Sequence, residues 1–220
     1  MKSGKTPKAS PEPPLIPPSL PAGSITGLKD EAEIAGIVLD ALSVVGKSAT
    51  SVLIEQAVIR QAAMAGARLA NLRLNDVRFE GSDLSGIVLP KGRLQRVEFR
   101  GCRLTGVQLS ECRCRDLLFA ECTLESAIIT SGKFQFVRFE RCNLRRAILE
   151  RNELPGAVFL GCDLGGADFA GSATKGVDFR GSDLTGLHIE ARQLQGAIID
   201  PLQAMQVASL LGIVVKEQGE

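Results

Sequence analysis

Residues 137–149 read VRFERCNLRRAIL, residues 117–129 read LLFAECTLESAII, and residues 157–169 read AVFLGCDLGGADF. Phenylalanine, cysteine and leucine return to the same columns every twenty residues, while nearly everything between them changes. A finer period lies inside this one. Every fifth residue from Ile34 to Ile199 is apolar except Thr174, 33 of 34 positions, where the 45% apolar composition alone would give about 15. Neither a helix of 3.6 residues per turn nor a simple alternating strand sustains a five-residue period.

Two residues before each of these positions stands a second selected place, mostly small or β-branched: Ala67, Val77, Cys102, Val107, Cys122, Ala147, Cys162 and Val177 among others. Residues two apart on an extended segment point to the same side, so each short segment sends one large and one small side chain into a common interior. The other three places carry most of the charged residues and glycines and face water or form corners. Phe79, Phe99, Phe119, Phe139, Phe159 and Phe179 all fall in one twenty-residue column, six of the nine phenylalanines. Coils stacked one strand spacing apart, about 4.8 Å, would lay each Phe on the next. A second ladder, Cys102, Cys122, Cys142 and Cys162, has Ser82 and Ser182 at its ends. These thiols are expected to be buried and to act as small hydrophobes.

The motifs AGARLANLRL, FEGSDLSGIVL, FLGCDLGGADFAG and DFRGSDLTGLHI make residues 32–199 resemble the pentapeptide-repeat family. The resemblance implies an all-β fold, a right-handed quadrilateral parallel β-helix of about eight 20-residue coils. It also implies a non-enzymatic scaffold that binds another macromolecule, most simply a protein, through rigid side faces. Quinolone-resistance members of the family imitate DNA and bind DNA gyrase or another topoisomerase by strongly acidic surfaces. Here residues 50–199 carry 20 basic and 17 acidic side chains, which leaves a topoisomerase as an alternative partner only. Some such relatives also dimerise through a C-terminal segment, and a further alternative is a structural dimerisation or spacer element whose proline-rich tail recruits a partner.

The rest of the chain divides by composition. Seven of the ten prolines lie between Pro7 and Pro21, so residues 1–27 read as a flexible proline-rich tail, or else as a docking segment for an aromatic groove. Residues 28–200 read as the β-helix. Asp200-Pro201 offers a helix start, and 201–211 reads as a capping helix with Leu202, Met205, Leu210 and Leu211 as its stripe and as homodimer contacts; residues 213–215 read as a short strand.

Charge is nearly balanced, 26 Lys and Arg against 25 Asp and Glu. Direct nucleic-acid binding is therefore not announced. No apolar run is long enough to span a membrane, and six cysteines without a secretory signal fit a cytoplasmic setting. One side face is locally basic, with Arg73, Arg93, Arg96, Arg113, Arg115 and Lys133 and with Phe136 beside them, and is the candidate binding surface. Cys112-Arg-Cys114 lacks the further ligands of a zinc site, and His188, the sole histidine, has no nucleophile arranged around it. Neither an active site nor a cofactor is expected.

Overall fold

In the computed structural model, which describes residues 10–216, the five-residue period becomes a square coil. Backbone φ is positive at every fifth residue from Glu31 to Gly186 and again at Gly196, so the chain turns a corner after each pentapeptide. Four corners close one coil, and each strand pairs in parallel with the one twenty residues later. The long sheet runs through Ala22–Gly23, Glu33–Asp40, Leu53–Arg60, Arg73–Glu80, Arg93–Arg100, Arg113–Ala120, Lys133–Glu140 and Val158–Leu160. A second sheet joins Ser48–Thr50, Arg68–Ala70, Val88–Pro90, Gln108–Ser110 and Ile128–Thr130.

The interior is a set of columns. Phe79, Phe99, Phe119, Phe139 and Phe159 stack with ring centroids 4.8–5.0 Å apart and planes within 10° of parallel. Phe179 continues the column at 5.6 Å, and Phe169 meets it edge-on. The spacing is that of the strands, so the aromatic column needs no adjustment of the backbone. Thr174, the one polar residue of the five-residue series, is buried and donates its hydroxyl to the Gln193 carbonyl at 2.7 Å.

The cysteine ladder does more than fill space. All six cysteines are free and buried. Cys122 Sγ lies 3.3 Å from the carbonyl oxygens of Phe99 and Ala120, and Cys142 and Cys162 repeat the arrangement one coil on each time. Ser182 Oγ makes the same bond to the Phe159 carbonyl at 3.0 Å. The small inward residue therefore brings a side-chain donor to carbonyls at the corner of its own coil and of the coil below. Gln203 terminates this column: its carboxamide donates to the carbonyls of Phe179 (2.5 Å) and Ser182 (2.7 Å). A parallel column through Asn152 and Ser172 ends in the same way on Gln193, which donates to Phe169 and Ser172.

Three expectations are corrected at the ends of the chain. Residues 1–9 of the expected tail lie outside the described residues. From Ser10 onward the segment is not a loose leader: it runs extended along the solenoid, buries Pro14, and pairs Ala22–Gly23 with Val38–Leu39 as a further strand. Proline composition sets local conformation and leaves open whether a surface exists to receive it.

The capping helix occupies Gln203–Leu210, with the Asp200 carboxylate accepting from the N–H groups of Leu202 and Gln203. Its inward contacts are Gln203, Val207 and Leu210, whereas Leu202, Met205 and Leu211 are exposed. The end of a coil presents open carbonyls as well as apolar atoms, so a glutamine and not a leucine is buried first. Residues 213–215 form no strand, and their side chains face solvent.

Candidate binding face

Strand register assembles the basic face. Arg73, Arg93, Arg113 and Lys133 are direct parallel partners in consecutive coils, so their stems leave the sheet about 4.8 Å apart. Like charges placed directly opposite one another on a sheet are destabilising, by up to about 1 kcal/mol per pair. Elsewhere the fold relieves such charges. Among the described residues, every arginine except Arg68, Arg73, Arg93 and Arg113 has a carboxylate oxygen within ion-pair distance. Three of the four exceptions stand in this one column.

Grooves flank the column on both sides. One, about 550 Å³, is lined by Ser51, Asn71, Lys91 and Glu111 together with the three arginines. The other, about 440 Å³, is floored by Leu94 and Cys114 and edged by Asn75, Gln95, Arg115, Lys133 and Gln135. A guanidinium in this comb is free to turn to either side.

The other expected members of the face have different duties. Arg96 is tied to Asp76 by a bidentate pair, Nε to Oδ1 at 2.5 Å and Nη2 to Oδ2 at 2.7 Å, and its side chain is only 20% exposed. That bond, with a backbone bond from Leu15, holds the Asp76 carboxyl below the usual carboxylate range against the opposing effect of burial. Arg96 is therefore a corner residue and not part of the comb. Arg115 bonds Asp116 Oδ2 at 3.3 Å and lies 5.2 Å over the half-buried Phe136 ring. Lys133 pairs with Glu153 at 2.7 Å and closes the column at its upper end. The signal that separates Arg73, Arg93 and Arg113 from the rest was present in the sequence as an uninterrupted column of one charge sign.

The remaining candidates are the cysteines and His188. Burial pushes the Cys112 thiol up to about 11 and Cys114 well above the usual thiol value. Cys122 and Cys162 are raised as well, by hydrogen bonding with adjacent thiols and by burial. Thiolates are thus disfavoured at these positions. His188 is exposed at the surface, 3.8 Å from Asp168. Among the described residues, no helix is long and apolar enough to cross a membrane.

Comparison with known proteins bears on the repeat itself. The family described as Pentapeptide repeat region matches residues 54–129, and Pentapeptide repeats (8 copies) matches 133–171 and 162–198. The chain belongs to the pentapeptide-repeat family. No curated protein matches it. Among solved structures, a trypsin-treated variant of QnrB1, a plasmid-mediated fluoroquinolone resistance protein, is 19% identical with a TM-score of 0.48, over 88% of this chain and 100% of that one. HetL, involved in heterocyst differentiation regulation in Nostoc sp. strain PCC 7120, is 17% identical with a TM-score of 0.29, over 77% of this chain and 87% of that one. At such distances the likeness says nothing about what this pentapeptide-repeat protein binds.

Proposed function

We propose that this pentapeptide-repeat protein is a non-enzymatic scaffold whose rigid face around Arg73, Arg93 and Arg113 holds an acidic partner protein. The carrying observation is the unpaired arginine column, kept at an electrostatic cost on a surface where other arginines are matched with carboxylates. An acidic protein edge laid across the comb would relieve that repulsion and place carboxylates in the flanking grooves, where bidentate guanidinium contacts are available. The DNA-mimic contact with a topoisomerase needs a continuous acidic side, and here carboxylates along the faces are largely engaged by arginines, so charge gives that reading no support.

Titration with labelled poly-L-glutamate at low salt tests the proposal. The Arg93→Ala/Arg113→Ala protein should bind at least about tenfold more weakly than wild type, a loss near 1.4 kcal/mol. Equal binding by both proteins would remove the face from the account. Tighter binding to duplex DNA than to poly-L-glutamate, with a steep salt slope, would move the partner to nucleic acid.

A second reading has its own observation. Leu202 is 88% exposed and Met205 59%, and Ile213, Val214 and Val215 extend the apolar surface beyond the helix. This end is a fitting homodimer contact. Sedimentation of Met205→Glu beside wild type would detect it as a shift from dimer to monomer; two monomers would refute it.

A further inference from the structure

The stretch Pro11–Pro18 reads PEPPLIPP, so only Glu12, Leu15 and Ile16 in it possess a backbone N–H. Two of these three donors end on carboxylates of the solenoid. Glu12 N–H donates to Asp116 Oδ1 at 2.9 Å, and Leu15 N–H donates to Asp76 Oδ1 at 2.7 Å. A polyproline II helix repeats every three residues, about 9.3 Å. Asp76 and Asp116 stand in one corner column two coils apart, about 9.6 Å at the strand spacing. The two lengths agree within a few tenths of an ångström, so a polyproline II segment meets one carboxylate per turn as it descends the corner from Asp116 to Asp76.

The receiving groups are built in. The Asp116 side chain is 2% exposed and that of Asp76 10%. Arg96 holds both oxygens of Asp76, Arg115 takes Asp116 Oδ2, and Asp116 Oδ1 accepts from the strap. Pro14, between the two anchored positions, is buried. Corner residues with φ near +55° aim their side chains outward along this edge, which is why the carboxylates reach a segment lying outside the coils.

We infer that the Asp76–Arg96–Asp116 corner is a binding site for polyproline II peptides that present an N–H at every third residue, and that residues 11–16 of this chain are its resident ligand. Recognition rests on backbone donors in a proline-rich frame, so more proline is not better: a segment with proline at both donor positions has the right conformation and nothing to offer the carboxylates. The resident strap also shuts the site against other proline-rich segments, because a tethered ligand competes at high effective concentration.

Glu12→Pro/Leu15→Pro in the full-length chain separates the two requirements. The substitutions keep the polyproline frame and delete both donors, together with the Glu12 carboxylate that faces Arg96. In ¹⁵N-labelled protein the strap residues should gain fast backbone motion while the coil resonances stay in place. Added peptide SPEPPLIPPSL, the sequence of residues 10–20, should then shift the amides of Asp76, Arg96 and Asp116 in a saturable way at millimolar concentration. The peptide SPPPPPIPPSL should bind at least tenfold more weakly, and wild type should respond to neither. Leu15→Pro alone, which keeps the Asp116 bond, should show partial release and serves if the double variant misfolds. A strap that stays rigid without its donors would overturn the inference. So would a freed corner that ignores the first peptide or answers both peptides equally.

Discussion

One corner column behaves differently in the two parts of the solenoid. Over Glu33–Glu140 it consists of Gly36, Gln56, Asp76, Arg96, Asp116 and Phe136, and each lies inside an unbroken eight-residue strand. Further up it becomes Gly156, Gly176 and Gly196, and the corners there close hydrogen-bonded turns, Ala157 N–H to Leu154 O at 3.2 Å and Val177 N–H to Thr174 O at 3.0 Å. Glycine in the third place of such a turn reaches the larger positive φ it demands, +72° at Gly176 against +49° at Arg96. A glycine corner also has no side chain to offer. The lower part carries the carboxylates under the strap and, one face over, the arginine comb. The upper part is devoted to closing the rod, with Gln193 and Gln203 ending its polar columns.

Five substitutions would break or sharpen this contrast. The largest effect belongs to the column shared by both parts: Phe119→Ala, at a site 1% exposed in the middle of the aromatic stack, should cost about 3–5 kcal/mol in a urea melt. A loss below about 1 kcal/mol would mean that the stack is not what joins the coils. Next comes the cap, where Gln203→Ala leaves the Phe179 and Ser182 carbonyls without their donor and should cost about 1–3 kcal/mol, with early hydrogen exchange confined to the upper coils.

The corner itself is probed by Gly176→Ala. An added Cβ would meet nothing within 4 Å, so any loss is backbone strain, about 1–2 kcal/mol. Gln56→Gly, at an exposed corner with φ +47°, is the matching exchange in the lower part and should stay within about 1 kcal/mol of wild type, since relief of strain is offset by a more flexible unfolded chain. Equal penalties for the two would erase the distinction between the corners. The smallest effect is expected in the comb: Arg113→Gln should raise stability by less than about 1 kcal/mol by removing the middle neighbour of Arg93 and Lys133. A destabilisation would show that the arginines have partners after all.

The repeat was legible because stacking makes the same demand at the same place in each coil: residues such as Phe119 and Leu144 answer to neighbours of their own kind twenty residues away. The strap was not. Asp76 and Asp116 look like ordinary outward acids, and their forty-residue separation gains meaning only when set against the three-residue turn of a polyproline segment. The helix stripe was misread for a related reason. Leu202 and Met205 have helical spacing, but the surface they would cover needs donors first. Asp200 and Gln203 stand in the spacing of a reciprocal cap, as do Glu190 and Gln193, and that pattern was the available clue. Within the basic face, Arg73, Arg93 and Arg113 were legible as a column, whereas the engagement of Arg96 by Asp76 crosses from coil to coil and has no local signature.

Arginine-selective labelling with phenylglyoxal, read out by mass spectrometry with and without poly-L-glutamate, tests the central claim most directly. The account predicts fast modification of Arg73, Arg93, Arg113 and Arg68 and slow modification of paired residues such as Arg141 and Arg180. Poly-L-glutamate should then protect the first three and leave Arg68, on another face, unchanged. Reaction of the column no faster than that of the paired arginines, or protection spread evenly over the rod, would contradict it.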